Sequence, residues 1–109
     1  MSILRRDTQP EIPCVDVITA HDRPGGVILV DVREPSEWAE GHAPAAHLRP
    51  LGELDLDRLP TADTYYVICR SGNRSAHATR ALVEAGIDAH NVTGGMNAWI
   101  AAGLPSEHD

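Results

Sequence analysis

Two stretches of the chain carry apolar residues without polar alternation, Val27-Ile-Leu-Val30 and Tyr65-Tyr-Val-Ile68. Runs that are apolar on both faces read as buried strands of a parallel sheet. Residues 12–15, 46–49 and 90–93 are shorter strand candidates. Between them the period changes. Asp16 or Thr19 can cap a brief helix that ends before the turn Arg23-Pro24-Gly25-Gly26. Pro35 suits a first helical turn and Gly41 a helix end, which predicts a short helix over 35–40. Leu51, Leu54, Leu56 and Leu59 belong to a helical or irregular stretch ending at Pro60. From Ser75 the pattern is helical. Ala78, Ala81, Leu82 and Ala85 fall at i, i+3, i+4 and i+7, with His77, Arg80 and Glu84 on the other face and Gly86 at the C′ position. Gly94-Gly95 reads as a turn with positive φ, followed by a helix over 96–102. Strands alternating with helices imply right-handed βαβ units and an α/β fold. Residues 1–10 are polar and read as a tail ahead of one domain over 11–106.

Composition narrows the chemistry. The chain has 109 residues, 42% of them hydrophobic, which suits one domain with one core. Its formal net charge is −7, which argues against a nucleic-acid binder and against docking on anionic membranes. All nine cations are Arg, so Schiff-base and Walker-type chemistry, both of which need Lys, are excluded. Phe is absent, and aromatic packing rests on Trp38, Trp99, Tyr65 and Tyr66. No run approaches the ~20 apolar residues of a membrane-spanning helix. Arg5-Arg6 is followed by Asp7-Thr-Gln-Pro-Glu11 rather than an apolar region, so no secretory signal is expected. The two cysteines, Cys14 and Cys69, form no C-x-x-C motif. A cytoplasmic, reducing home is therefore expected, where a cysteine is reactive more often than bridged. Cys14, in an apolar run without cationic neighbours, reads as a buried structural residue.

Cys69 reads differently. It ends a buried strand, and the loop Arg70-Ser-Gly-Asn-Arg-Ser75 leads into a helix. In an open α/β sheet, ligands bind beyond the carboxyl ends of the strands. Loop N–H groups and a helix N-terminus there favour negative charge. They should hold the Cys69 thiol below its free value of ~8.5, with Arg70 and Arg74 pushing the same way. Gly72 lets the backbone fold tightly around the sulfur.

At this point the chain resembles a single-domain rhodanese, a sulfurtransferase. The resemblance rests on Leu29-Val-Asp-Val-Arg-Glu-Pro35, Glu37-Trp38, Glu40-Gly-His42 with Pro44, Pro50-Leu51, Cys69-Arg-Ser-Gly-Asn-Arg-Ser75, and Gly94-Gly-Met-Asn-Ala-Trp99 with Ala102-Gly-Leu-Pro105. It spans about residues 12–105. It implies a five-stranded parallel sheet with helices on both faces, a Cys69 nucleophile that carries sulfur as a persulfide, and no cofactor. It implies an anionic donor such as thiosulfate and a thiol, cyanide or protein acceptor. A small homodimer and a non-enzymatic carrier or binding module are both compatible with it.

Arg74 gives a C-x4-R spacing, one residue short of the C-x5-R loop of the family's phosphatase and arsenate-reductase relatives. A shorter ring suits a single sulfur. Asp31 and Arg33 resemble the family's Asp-x-Arg and are expected to support loops through hydrogen bonds and a salt bridge. His42 is expected to be structural, with no metal site. Trp38, Trp99 and Met96 are expected in the core. The chain departs from the family over Ala43-Pro-Ala-Ala46 and His47-Leu-Arg49. Either that strand shifts its register, or His47 and Arg49 reach the pocket rim or a partner.

Overall fold

In the computed structural model, which describes residues 11–108, the two apolar runs form the middle of a parallel sheet. In chain order the elements are β1 (Cys14–Val15), α1 (Val17–His21), β2 (Val27–Asp31), α2 (Pro35–Glu40), β3 (His47–Leu48), β4 (Thr64–Ile68), α3 (Asn73–Glu84), β5 (Ala89–Val92) and α4 (Gly95–Ala101). Two short 3-10 turns, Leu51–Glu53 and Leu56–Arg58, fill the leucine-bearing stretch between β3 and β4. The strand order is β1-β5-β4-β2-β3, and every pairing is parallel. The expected tail over 1–10 lies outside the described residues.

Alternation along the strands sends side chains to two cores. Leu29, Tyr66, Ile68 and Val92 pack with Val17 and Ala20 of α1 and with Met96 and Trp99 of α4. Val30, Tyr65, Val67 and Ala89 pack on the opposite face with Ala78 and Leu82 of α3. Helices thus cover both faces, and this is why residues 27–30 of β2 and 65–68 of β4 are apolar without alternation. Asp16 caps α1 by accepting from the Thr19 N–H at 2.8 Å. Trp99 lies wholly buried and donates its indole N–H to the Pro105 carbonyl at 2.8 Å.

Four local expectations need correction. α3 begins at Asn73, two residues before Ser75, because Gly72 at φ 106° turns the chain into the helix immediately after the loop. Its buried face is Ser75, Ala78, Thr79 and Leu82, while Ala81 and Ala85 are exposed. Ser75 and Thr79 can face inward because their hydroxyls are bonded there, Thr79 to the Ser75 carbonyl at 2.7 Å. Cys14 is exposed, not buried, because β1 is a two-residue strand at the sheet edge. Trp38 is only half-buried and stacks on His42 with ring centroids 3.6 Å apart.

The departing segment keeps its place in the sheet, His47 opposite Val30 and Leu48 opposite Asp31. β3 is an edge strand, so His47 and Arg49 stay half-buried, and Arg49 bonds the Leu48 carbonyl at 2.7 Å. Ala45 stands where the family's pattern has Gly and adopts φ 63°. A left-handed Ala costs about 1 kcal/mol relative to Gly.

Candidate active site

Cys69 follows β4 directly, at the carboxyl edge of the sheet, and the residue is 1% exposed. Its sulfur is the floor of a short ring. Sγ accepts from the Gly72 N–H at 3.1 Å and the Ser75 hydroxyl lies 3.2 Å away. Burial pushes the thiol up. The Ser75 side chain and the backbone N–H groups of Ser75, Gly72 and Ser71 push it down and together prevail, so the thiol lies below its ordinary value. The direction is the expected one. The largest lowering causes are these hydrogen bonds, and the Arg74 charge, which interacts with Cys69, acts in the same sense.

The start of α4 gives the ring its orientation. The Met96 N–H donates to the Cys69 carbonyl at 2.8 Å and the Asn97 N–H to the Arg70 carbonyl at 3.0 Å. In a trans peptide the N–H points opposite to the C=O. Drawing the Arg70 carbonyl towards α4 therefore turns the Ser71 N–H the other way, towards the sulfur. Gly94 and Gly95 take positive φ, 80° and 57°, as the sequence predicts, but only Gly94 lies in the turn and Gly95 opens α4. Gly95 also lies so close beneath the loop that a side chain there would meet the Cys69 and Arg70 carbonyl oxygens.

The remaining loop residues separate. Ser71 and Asn73 are exposed and Arg70 is exposed at the rim. Arg74 forms a bidentate pair with Glu37 on α2, at 2.6 and 2.8 Å. Glu37 also accepts from the Glu34 N–H at 3.0 Å. Arg33 and Asp31 form a buried pair, with Nη2 2.8 Å from Oδ2, and Arg33 reaches on to the Gly41 carbonyl at 2.8 Å. That pair ties the end of β2 to the end of α2. Beside the loop is a cavity of about 200 Å³ lined by Arg33, Glu37, Arg70, Met96, Asn97 and Ile100. Met96 is 2% exposed and belongs to the core as well. A larger hollow of about 390 Å³, lined by His21, Arg23 and Val27 among others, sits where β2 begins, and no cysteine lines it. His47 and Arg49 line neither.

Sequence reasoning assigned no role to Glu37 or Asn91, and gave Gly95 only a place in a turn. Glu37 stands in the quoted Glu37-Trp38 motif, three residues into a helix that a proline starts. Asn91 interrupts an apolar strand, and a buried amide needs partners. It has them here: its Nδ2 donates to the Gly72 carbonyl at 3.2 Å, and its Oδ1 is 2.5 Å from the Ser75 hydroxyl.

The hydrogen-bonded Arg74 guanidinium holds the Glu37 carboxyl well below its ordinary 4.5, at about 2. A depressed carboxylate stabilises the fold fully above its unfolded pKa, and the contribution disappears as the pH falls through the folded one. Glu37→Gln should therefore be less stable by about 1–2 kcal/mol near neutral pH, after discounting for solvent around the half-exposed Arg74. The gap to wild type should close between about pH 4.5 and 2. Urea denaturation at several pH values measures it, and a gap that is constant over that range would show the ion pair to be without effect.

Comparison with known proteins places this geometry. The rhodanese-like domain family matches residues 16–102. A Bacillus subtilis protein named "Putative sulfurtransferase YtwF" is 45% identical over 74 residues, covering 65% of this chain and 71% of that protein. An uncharacterized Synechocystis protein, slr1261, is 43% identical over 83 residues, covering 73% of this chain. The aligned part is 46% of the Synechocystis protein, so the chain corresponds to about half of it. Among solved structures, a rhodanese-related protein from Thermoplasma volcanium superposes with a TM-score of 0.83 at 30% identity, covering 89% of this chain and 99% of that one. A thiosulfate sulfurtransferase from Pseudomonas aeruginosa superposes with a TM-score of 0.75 at 32% identity, over 92% of this chain but 20% of that one. The Cys69 loop stands on a shared scaffold: the chain belongs to the rhodanese-like domain family.

Proposed function

We propose that the protein is a sulfurtransferase in which Cys69 is the nucleophile. The observation that carries this reading is the set of donors converging on one sulfur, Gly72 N–H at 3.1 Å and the Ser75 hydroxyl at 3.2 Å, inside the loop from Cys69 to Ser75. The Cys69 thiolate attacks the outer sulfur of an anionic donor such as thiosulfate. The S–S bond of the donor breaks, sulfite leaves with the electron pair, and Cys69 carries a persulfide. A thiol, cyanide or protein acceptor then takes the terminal sulfur and the thiolate returns. Donors that stabilise a resting thiolate also stabilise charge on the terminal sulfur, as an oxyanion hole does for oxygen. Asp31 and Arg33 support the edge of the site from behind.

Arg70 and Arg74 differ in what they offer an anion. Arg74 is neutralised by Glu37, whereas Arg70 is exposed on the cavity rim with no ion pair among the described residues. Arg70 is thus the charge available to steer the donor.

Intact mass after incubation with thiosulfate tests the reading. Wild type should gain the mass of one sulfur, removable by reductant, and Arg70→Ala should need more thiosulfate, above all at low salt, where charges screen least. A chain that gains no sulfur at any donor concentration is a binding module, and the proposal fails.

A further inference from the structure

Asn91 lies on β5, 7% exposed, and the sulfur chemistry above makes no use of it. Its Nδ2 donates to the Gly72 carbonyl, which fixes the way the amide faces and turns Oδ1 to the Ser75 hydroxyl at 2.5 Å. The same Ser75 oxygen is 3.2 Å from Cys69 Sγ. A hydroxyl carries one proton, while an amide oxygen and a thiolate can only accept. Ser75 can donate to one of them at a time. With the proton turned to Asn91, Ser75 shows the sulfur a lone pair. That arrangement suits a thiol, which completes the chain Sγ–H to Oγ–H to Oδ1. Once the thiol ionises, the hydroxyl must rotate to donate to sulfur, and Asn91 Oδ1 gives up its donor inside the fold.

We infer that Asn91 is a positioning residue: its amide oxygen competes with Cys69 Sγ for the single Ser75 proton and so sets the fraction of Cys69 present as thiolate. The inference deepens the reading of Cys69 as nucleophile and rests on it for its consequence in turnover. Removing the Asn91 amide does not orphan Gly72, whose carbonyl also accepts from the Ala76 N–H at 3.2 Å. Of the ionisable groups on the elements around Cys69, Arg70 in the loop, Arg74 on α3 with its partner Glu37 on α2, and Asp31 and Arg33 at the end of β2 lie at the site; Glu40 lines the cavity beside it, His77, Arg80 and Glu84 lie further along α3, and His90 on β5 pairs with Asp88. Tyr65 shares the core cluster, its hydroxyl bonded to the Pro60 carbonyl, and α4 contributes no ionisable side chain. None of these is altered in the variants below.

The test is a pH titration of the Cys69 thiolate by its ultraviolet absorbance, in a Cys14→Ser background, with the matching Cys69→Ser protein subtracted to remove tyrosine. Asn91→Leu should lower the midpoint by about one pH unit, which is tenfold more thiolate below it. Asn91→Ala should move it the same way and serves if the larger side chain does not fold. Ser75→Ala should raise the midpoint, and adding Asn91→Leu to it should produce no downward shift, since the proton under competition is gone. A midpoint that stays or rises in both Asn91 variants overturns the inference. So does a downward shift of equal size with and without Ser75, because a merely structural effect of Asn91 would not depend on that hydroxyl. No sulfur donor is present in this titration. A failure of sulfur loading and a failure of the Asn91 effect are therefore read separately.

Discussion

Cys69→Ser should reduce sulfur transfer from thiosulfate to cyanide or a thiol by at least about 10³-fold, to background, while the protein stays folded. The size follows from the chemistry. In the proposed reaction the transferred sulfur is bonded to Cys69 between the two half-reactions, and a serine hydroxyl at neutral pH neither attacks the donor nor forms a persulfide. No neighbouring group replaces it, because the other described cysteine, Cys14, is exposed at the β1 edge, away from the β4 loop. The fold should tolerate the change. Serine is slightly smaller, and its oxygen can accept the Gly72 N–H that the sulfur accepts now. Turnover, intact mass and thermal unfolding on Cys69→Ser and Cys14→Ser measure the outcome. Retained turnover in Cys69→Ser together with its loss in Cys14→Ser would remove Cys69 from the mechanism.

Much of this fold is legible in the chain because its signals are local. Val27-Ile-Leu-Val30 and Tyr65-Tyr-Val-Ile68 announce buried parallel strands, and Pro35 and Gly41 bracket α2 as they should. The order β1-β5-β4-β2-β3 is not local, and no periodicity reports which strands are neighbours. The inward face of α3 is misread for a related reason. Hydrophobic spacing favours Ala81 and Ala85, but Ser75 and Thr79 take the buried positions because their hydroxyls are satisfied there, Ser75 by Asn91 on β5 and Thr79 by the Ser75 carbonyl one turn back. At the site, the loop composition predicts an anion-binding ring yet not the use of each charge. Arg74 looks free in sequence and is claimed by Glu37, which lies 37 residues away along the chain. Cys14 shows the converse, an apolar neighbourhood in sequence that becomes a sheet edge in space.

Gly95→Ala should destabilise the protein by about 3 kcal/mol and lower sulfur transfer at least about tenfold, the largest effect expected from any residue that touches no substrate. A Cβ at this position would meet the Cys69 carbonyl oxygen, and would lie 2.6 Å from the Arg70 carbonyl oxygen. Both are backbone atoms of the ring and cannot swing aside as a side chain would. Relief requires α4 to withdraw from the loop. Withdrawal lengthens the Met96 N–H to Cys69 and Asn97 N–H to Arg70 bonds, each worth about 1 kcal/mol, and adds the strain of an overpacked contact. The same withdrawal frees the Arg70 carbonyl to rotate, and the Ser71 N–H loses its aim at the sulfur. Stability and activity should therefore fall together, although Gly95 is on a different element from Cys69. Gly103→Ala separates the contact from the backbone conformation. Gly103 has φ 72° and nothing within 4 Å of the added Cβ, so this change should cost only the left-handed term of about 1 kcal/mol and leave turnover intact. Denaturant unfolding and thiosulfate turnover on both variants give the comparison. If Gly95→Ala costs no more than Gly103→Ala, the close approach of α4 is not what holds the ring. If it is destabilised but turns over normally, the ring keeps its shape without α4, and the N–H groups must be oriented by Gly72 and Asn91 alone.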